Sequence, residues 1–540
     1  MKEYIVTARS FEDLESLYDD LETEGGDLYI PGRSVDCCQR RPISRNTHYM
    51  LTEDEADLLK KDPRVLDVES KELIDSILIE PHWTQTSSNW NKDLYEASTH
   101  KNWALYRCIT GSQVPNWGDD GDNDVSGTVS TTSSGKNVDV VIMDGHVDPT
   151  HPEFASNPDG TGGSRVVQFN WYSLTSQVTG GSNGTYQYPT GVDLENSNEN
   201  HGIHVAGTAC GNTQGWARDS NIYNISPYSN NINTLAVSYT MDYVRVWHNN
   251  KSINPETGFK NPTIVNMSFG SSYTFSSSLL TNVNWRGANY TSGLTDTANL
   301  DSWGLTRRSG SNIIMPAYVT SWAADLEDAI EAGIILVGSA GNSSMKVDDS
   351  SGVDYGNTVT WSGLTRYYHR GDYRFSQDTM CIGAVGAKVT EYKNSGSSGS
   401  NYGTRITVFA PGDNIISSVH SGTYEVDDPR DSNYKLEKKS GTSMASPQVC
   451  GVLACALEQY PRMNQTDCIE YITTICDNEQ LADSGGGYTD TTSVAGTVKR
   501  YLFYKKERPE EGTIQPRPSY RLRTATGQTW PRVSVFKYKK

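Results

Sequence analysis

Long hydrophobic runs are missing from this chain. None of its 540 residues falls in an apolar stretch of about 18 residues, so no membrane-spanning helix and no membrane partner are predicted. The N-terminal segment also lacks the apolar core that a secretory signal peptide needs. We therefore expect a protein that is cytoplasmic, exported by another route, or associated with a virion.

Positive charge is scarce in most of the chain. Asp and Glu total 65 against 46 Lys and Arg, which gives a formal net charge of −19. An acidic surface disfavours nucleic-acid binding, because phosphates are neutralised by basic patches. The exception is the stretch from Lys499 to Lys540, where basic residues far outnumber acidic ones. This basic tail is compatible with a docking arm and equally with a solvated terminus.

Cysteine pairs of the metal-binding type are also missing. The nine cysteines are an odd number and contain no Cys-x-x-Cys spacing, so neither a zinc site nor a disulfide framework is implied. An acidic loop at residues 119–124 has carboxylates that calcium could use. It lacks the glycine and the terminal Glu that an EF-hand loop has at fixed positions, and no metal ligands are assigned there.

The hydrophobic pattern divides the chain into four parts. Residues 1–75 alternate short apolar strands with two amphipathic helices, the second opened by a Thr-x-x-Glu capping box, which predicts a small β-α-β-α-β module. Residues 76–137 are a polar linker and N-terminal extension. Residues 138–490 alternate apolar strands with helices, and residues 491–540 are the basic tail.

The third part has the pattern of a parallel sheet. Its strands are continuous apolar runs at 140–143, 263–267, 334–337 and 380–385. Such runs are typical of strands buried on both faces, and the helices between them predict βαβ units. We therefore expect an α/β fold with a mainly parallel central sheet, in which reactive residues lie at the carboxyl ends of the strands.

Three polar strings stand where this fold would place its chemistry. Asp144 directly follows the strand at 140–143. His201 and His204 begin a small-residue helix, where they suit a general base or a pair of metal ligands, although no further ligand with metal spacing is nearby. Ser443 lies where a loop becomes a helix, so backbone N–H groups and the helix dipole favour a developing negative charge there.

Together the three strings resemble the catalytic boxes of the subtilisin-like (subtilase) serine proteases. They occur in the family's chain order, and the serine box reads Gly-Thr-Ser-Met-Ala-Ser-Pro without a departure. The histidine box departs at Ile203, where the family usually has Thr. The aspartate box departs more, because Gly145 and His146 replace the usual hydroxyl residue and glycine.

The resemblance implies a role for each residue. Ser443 would attack the scissile carbonyl, His201 would transfer the proton, and Asp144 would orient the imidazole. The string Ser-Ala-Gly-Asn that ends at Asn342 is similar to the family's oxyanion-hole segment, which makes Asn342 the expected oxyanion donor. The residues implied to bind substrate are Ser268, Phe269, Gly270, Ser339, Ala340 and Gly341.

The resemblance also implies an architecture and partners. Residues 138–490 would have the subtilisin-like three-layer fold, with an inserted polar surface loop at about 271–317. Residues 1–75 resemble the family's inhibitory prodomain, a small ferredoxin-like α/β module that would bind the catalytic domain. No cofactor is required for the implied catalysis, whereas structural calcium, which the family often binds, has no assigned site.

Three functions are compatible with these residues. The first is a serine endopeptidase of proteins or peptides, made as a precursor that cuts itself between about Ser70 and Trp90. The second is a catalytically weak or inactive structural component of a larger assembly such as a virion, with the basic tail contacting an assembly partner. The third is a metal hydrolase that uses His201 and His204.

Overall fold

The structure, a computed structural model, describes residues 1–23, 26, 35–81, 84–85, 102–110, 131, 133–185, 192–228, 235–375, 378–386, 399–421, 425–476 and 500–504. The acidic loop at 119–124 and the part of the basic tail beyond residue 504 lie outside these residues. The chain divides into two units, Met1–Lys506 and Glu507–Lys540, and all described residues belong to the first.

Strands and helices follow one another along the chain. The strands are β1 (Lys2–Ala8), β2 (Asp36–Arg40), β3 (Asn46–Leu51), β4 (Val65–Ser70), β5 (Leu78–Pro81), β6 (Thr84–Gln85), β7 (Asp139–Met143), β8 (Val166–Val167), β9 (Asn221–Ile225), β10 (Thr263–Met267), β11 (Phe269–Ser276), β12 (Leu280–Trp285), β13 (Ala288–Tyr290), β14 (Arg308–Ser309), β15 (Asn312–Pro316), β16 (Ile335–Ser339), β17 (Thr358–Trp361), β18 (Leu364–Tyr367), β19 (Met380–Val385), β20 (Val408–Pro411), β21 (Ile415–Val419), β22 (Glu425–Asp428) and β23 (Asp431–Ser440). The helices are α1 (Leu14–Glu22), α2 (Glu53–Leu59), α3 (Lys71–Asp75), α4 (Trp103–Thr110), α5 (Thr175–Val178), α6 (Ser197–Cys210), α7 (Val237–Asn250), α8 (Thr297–Ser302), α9 (Thr320–Glu331), α10 (Thr442–Gln459) and α11 (Gln465–Ile475).

The N-terminal module is an antiparallel sheet with the strand order β2-β3-β1-β4. Helices α1 and α2 share with it a hydrophobic core of its own, which includes Leu17, Tyr49 and Leu59. The predicted capping box is confirmed, because the side chains of Thr52 and Glu55 each bond the other's backbone N–H. Strand β2 is absent from the predicted order because its sequence, Asp-Cys-Cys-Gln-Arg, carries no apolar alternation.

The central sheet has the strand order β20-β19-β16-β10-β7-β9-β8, and each neighbouring pair is parallel. Strands β7, β10, β16 and β19 are buried along their whole length, as their continuous apolar sequences predict. Met143 of β7 lies opposite Met267 of β10, which in turn lies opposite Gly338 of β16. The residues that follow these three strands therefore come together at one edge of the sheet.

Helices cover both faces of the central sheet. On one face, α7 and α9 bury Trp247 and Trp322 in a cluster that includes Val141, Val265 and Leu336 of the strands. On the other face, α10 lies along β10, β16, β19 and β20 and packs against α6. These three layers confirm the fold expected for residues 138–490. Within the described ranges, no helix is both long and apolar enough to cross a membrane.

The segment 271–317 is not the surface loop that its polar composition suggests. Much of it forms β-structure: β11 pairs with β15, and β12 pairs with β13 and β17. Its alternate residues Phe275, Ile313 and Met315 are buried, and the ring of Phe275 stacks on that of Trp361 at 4.2 Å. Abundant Ser, Thr and Asn on the opposite faces conceal this alternation in the sequence.

Residues 500–504 are built into the same unit as the central sheet, although they stand in the stretch assigned to the basic tail. The backbone around Tyr501 runs parallel to Phe409 of the edge strand β20, with two backbone hydrogen bonds of 2.8 Å. Tyr501 is buried, and the guanidinium of Arg107 on α4 lies 4.3 Å from its ring. Helix α4 and residues 500–504 thus close this edge of the sheet.

Candidate active site

The candidate site is assembled from separate elements at the carboxyl edge of the central sheet. Asp144 directly follows β7, His201 lies on α6, and Ser443 is the second residue of α10. All three side chains are fully buried. Ser268 follows β10, the neighbour of β7, so Asp144 and Ser268 each stand one residue beyond a paired position.

An aspartate and a histidine form the first half of the site. His201 Nδ1 lies 2.7 Å from Asp144 Oδ1, and the backbone N–H of Gly145 donates to the same oxygen at 2.8 Å. A carboxylate at this position accepts the Nδ1 proton. The imidazole is then held in the tautomer whose Nε2 is the basic nitrogen, which is the form that a general base requires.

A serine at a helix N-terminus forms the second half. The hydroxyl of Ser443 donates to the backbone carbonyl of Ser268 at 2.7 Å, so its single proton is engaged there and a rotation about Cα–Cβ would be needed to present it to a base. Gly441, just before α10, has φ of 152°. Side chains with a Cβ rarely adopt this backbone conformation, and the turn therefore requires glycine.

Asn342 is held against the residue that precedes the serine. Its Oδ1 accepts hydrogen bonds from the backbone N–H and the hydroxyl of Thr442, both at 2.9 Å. Its Nδ2 is buried and has no hydrogen-bond partner within the described part of the chain. A buried amide donor without a partner is costly to a folded protein, and it is suited to a negative charge that forms only during a reaction.

Three of the six residues expected to bind substrate line a pocket whose described lining contains none of Asp144, His201 and Ser443. Gly270, Ala340 and Gly341 form part of its wall. The other three lie behind the wall: the Phe269 ring packs on Tyr228 with centroids 5.3 Å apart, while Ser268 and Ser339 are buried and hydrogen bonded.

A buried arginine that the sequence motifs do not include joins the two sides of this pocket, one with Gly270 and the other with Ala340 and Gly341. Arg374 donates to the backbone carbonyls of Met267 at 3.1 Å and Ser339 at 3.0 Å, and its Nε lies 3.0 Å from the carboxylate of Asp372. Because Met267 lies three residues before Gly270 and Ser339 directly precedes Ala340, this guanidinium links the two sides of the pocket. The adjacent Asp-Tyr-Arg string is the only trace of this pair in the sequence.

His204 is a structural residue of α6. Its Nε2 lies 2.9 Å from the carbonyl oxygen of Ile415 and 3.1 Å from that of Glu437, so it ties the helix to β21 and β23. Burial lowers the pKa of His204 well below its ordinary value, which keeps the ring neutral. In the described residues, no group of three or more His, Cys, Asp or Glu side chains is placed to hold a metal ion.

Tyr228 is a further residue of the site that the motifs do not contain. Its hydroxyl donates to Asp144 Oδ1 at 2.5 Å and lies 3.4 Å from His201 Nδ1. It stands three residues after β9, the sheet neighbour of β7, in a polar stretch without a recognisable pattern. Only the strand order of the folded sheet brings it to Asp144.

The chain's own residues flank the serine on both sides. Strand β5 pairs antiparallel with β11, with Glu80 opposite Gly270 and Pro81 opposite Phe269. Strand β6 pairs antiparallel with the end of β23, with Thr84 opposite Ser440. The pocket wall and the segment just before Ser443 are therefore both paired with residues that connect the N-terminal module to the rest of the chain.

The fold and the site together define a class of protein: three-layer α/β proteins with an Asp-His couple and a buried serine at one edge of the sheet. The model of the subtilase family matches residues 135–489, more than half of the chain, and the chain belongs to this family.

Individual relatives are distant. Subtilisin-like protease 3 of Arthroderma benhamiae is 24% identical over 333 residues, which are 61% of this chain and 55% of that protein, so the chain spans about half of its length. Subtilisin DY of Bacillus licheniformis is 27% identical over 310 residues, 57% of this chain and 79% of that protein. The solved structure of fervidolysin from Fervidobacterium pennivorans, a keratinolytic enzyme related to subtilisin, aligns with 92% of this chain and 60% of its own at 17% identity, with a TM-score of 0.48.

Proposed function

We propose that the protein is a serine endopeptidase of proteins or peptides, made as a precursor that cuts itself. The observation that carries the proposal is the buried 2.7 Å contact between Asp144 and His201. The same sheet edge holds Ser443 and Asn342, whose Nδ2 has no partner in the described part of the chain. Membership of the subtilase family supports the same activity.

The proposed reaction has two halves, formation and hydrolysis of an acyl-enzyme, and each of these residues acts once in each half. Ser443 leaves the Ser268 carbonyl, gives its proton to His201 and attacks the scissile carbonyl carbon. The resulting oxyanion accepts hydrogen bonds from Asn342 Nδ2 and from the backbone N–H of Ser443. His201 then passes the proton to the leaving amine, and water repeats the sequence on the acyl-enzyme.

Asp144 and Asn342 contribute in different ways. Asp144 keeps the imidazole oriented and stabilises its charged form without taking up a proton itself. Asn342 acts only when the oxyanion exists, so its donor lowers the barrier without tightening substrate binding. An oxyanion donor of this kind is worth about 2.7–4 kcal/mol, a range that comes from another member of the family.

The proposed self-cleavage falls in a short part of the chain. Pro81 is paired beside one side of the serine and Thr84 beside the other, and three peptide bonds join them. Residues 82 and 83 lie outside the described residues. We therefore narrow the expected cleavage region, between about Ser70 and Trp90, to the bonds between Pro81 and Thr84.

Contacts of the N-terminal module with α7 and α9 support a proposed role as an inhibitor that stays bound after the cut. Arg41 of the module is fully buried and donates to Asp325 of α9 at 2.8 Å and to Asp242 of α7. Glu69 accepts backbone hydrogen bonds at the start of α9, from Thr320 at 3.1 Å and Ser321 at 2.9 Å. These bonds do not depend on an intact link to residue 84, so the module would block the cleft until it dissociates.

Mass spectrometry of the purified full chain tests the proposal. Wild-type protein should show a new N-terminus at residue 82, 83 or 84, and the Ser443→Ala variant should keep its intact mass. Ser432→Ala, which alters an exposed serine of β23, is the matched control and should be processed like wild type. A wild-type protein that keeps its full-length mass would contradict self-processing, and hydrolysis of a peptide substrate would then test the activity separately.

A further inference from the structure

The aspartate box of this chain has no room for a hydroxyl side chain. A Cβ placed on Gly145 would lie 1.9 Å from the backbone oxygen of Asn198, and one on Gly202 would lie 2.3 Å from the oxygen of Gly145. These are backbone contacts of α6, so a side-chain rotation cannot relieve them. The tip of β7 and helix α6 approach so closely that glycine is required after Asp144.

A hydroxyl nevertheless reaches the carboxylate from another element. Tyr228 donates to Asp144 Oδ1 at 2.5 Å, in addition to the contacts from Gly145 and His201. Burial, together with the negative charge of Asp144, raises the pKa of Tyr228 well above its ordinary value. The phenol therefore stays protonated and remains a donor throughout the neutral pH range.

Tyr228 is itself held in place by its surroundings. Its ring packs on that of Phe269, with centroids 5.3 Å apart, and its backbone oxygen accepts from Asn198 Nδ2 at 3.4 Å. Phe269 belongs to the strand that forms a pocket wall and pairs with Pro81. One side chain thus joins the carboxylate of Asp144 to the strand along which a substrate would lie.

We propose that Tyr228 is a positioning residue of this centre, which fixes the carboxylate of Asp144 with the hydroxyl that position 145 cannot carry. The inference rests on the proposed endopeptidase function, since Asp144 acts there through His201. The other ionisable groups near Asp144 are His201 and the buried pair of His146 and Glu199, whose Nδ1 and Oε1 lie 3.0 Å apart.

Tyr228→Phe tests the proposal, because it removes one oxygen and keeps the ring on Phe269. A hydrogen bond to a charged group is lost, so kcat should fall about tenfold while KM stays within about twofold of wild type. The carboxylate then has one donor fewer, and more of its charge acts on the His201 imidazolium. The acid limb of the kcat/KM profile should therefore move to higher pH.

Tyr243→Phe is the matched control. Tyr243 of α7 also has a bonded hydroxyl, 3.0 Å from Thr175 Oγ1, and is not part of the site. The variants are expressed as the full chain and, after self-processing and removal of the module, are compared in peptide hydrolysis and thermal unfolding. The control should keep the wild-type kcat and pH profile. A Tyr228→Phe variant with wild-type kcat and an unmoved acid limb would overturn the proposal, whether or not its unfolding temperature falls. Absence of hydrolysis by wild type itself would instead overturn the proposed function.

Discussion

The two halves of the candidate site are built in different ways. The serine half is centred on one turn of consecutive residues, Gly441, Thr442 and Ser443, which Asn342 and the carbonyl of Ser268 contact from the ends of neighbouring strands. The aspartate half draws on three elements, because the carboxylate of Asp144 receives donors from its own turn, from His201 on α6 and from Tyr228 beyond β9.

This difference explains why one half follows the family pattern and the other does not. The serine turn needs Gly441 for its backbone conformation and Thr442 for the contact with Asn342, and the serine box carries no departure from the family pattern. A carboxylate supported from several elements tolerates a change in one of them when another supplies the donor. Gly145 and Tyr228 are interpreted here as such a pair.

The comparison is tested most severely by Asp144→Asn. The amide cannot accept the Nδ1 proton in the same way, so His201 loses the tautomer that makes Nε2 basic, and kcat should fall about 10⁴-fold. Peptide hydrolysis measures this after an added protease has cut the linker and the module has been removed, because the slowed variant would not process itself; exposed Asp159→Asn, treated in the same way, is the control. A loss below about tenfold would mean that the aspartate half is dispensable.

The serine half is tested next, through its oxyanion donor. Asn342→Ala removes the unpartnered Nδ2 and should lower kcat about 10²–10³-fold with little change in KM, because the donor acts in the transition state. The exposed Asn433→Ala variant of β23 should behave like wild type. A rise in KM at unchanged kcat would instead assign Asn342 to ground-state binding and contradict its role as an oxyanion donor.

A smaller effect, the pH dependence of module binding, can be measured separately from catalysis. Burial, with Asp67 nearby, raises the pKa of Glu69 to about 7, although two backbone N–H groups oppose the shift. A carboxyl whose pKa is raised in the complex supports binding fully below its ordinary pKa, and this support is lost as pH rises through 7. The module should therefore dissociate from the cut protein about tenfold more readily at pH 8 than at pH 5.5.

Gel filtration of the cut protein at the two pH values measures this release. Glu69→Gln has a single acceptor oxygen, so it keeps only one of the two backbone bonds at the start of α9 and should bind more weakly at both pH values. The amide cannot ionise, so the pH dependence should flatten. It should not vanish, because burial and the neighbouring Asp242 also raise the pKa of Asp325, at the same interface, to about 7. Tighter binding at pH 8 than at pH 5.5 would contradict the assignment.

Much of the fold could be predicted because its signals are local. The buried strands at 140–143, 263–267 and 380–385 are apolar runs, and the structure places β7, β10 and β19 there. The strand predicted at 334–337 is β16, shifted towards Ser339. Strands β2 and β11–β15 were not predicted, because many of their residues are polar and β2, β13 and β14 are largely exposed, so no local apolar pattern marks them.

The residues of the candidate site also divide into those that the local sequence indicates and those that it does not. Asp144, His201, Ser443 and Asn342 lie in strings whose neighbours indicate their role. Tyr228 and Arg374 do not, because each acts through a contact that exists only after neighbouring strands have paired. His204 shows the converse, since a suggestive spacing in the sequence turns out to serve two backbone carbonyls.

Labelling with a fluorophosphonate and mapping of the adduct test most directly whether Ser443 is a nucleophile activated by His201. Variants that cannot cut themselves are first cut in the linker by an added protease, so that the module can be removed from every protein compared. One adduct is expected, on Ser443, and it should be absent from Ser443→Ala and form much more slowly in His201→Ala. No adduct on Ser443 of wild type after removal of the module would contradict the proposed nucleophile and favour a structural role in a larger assembly.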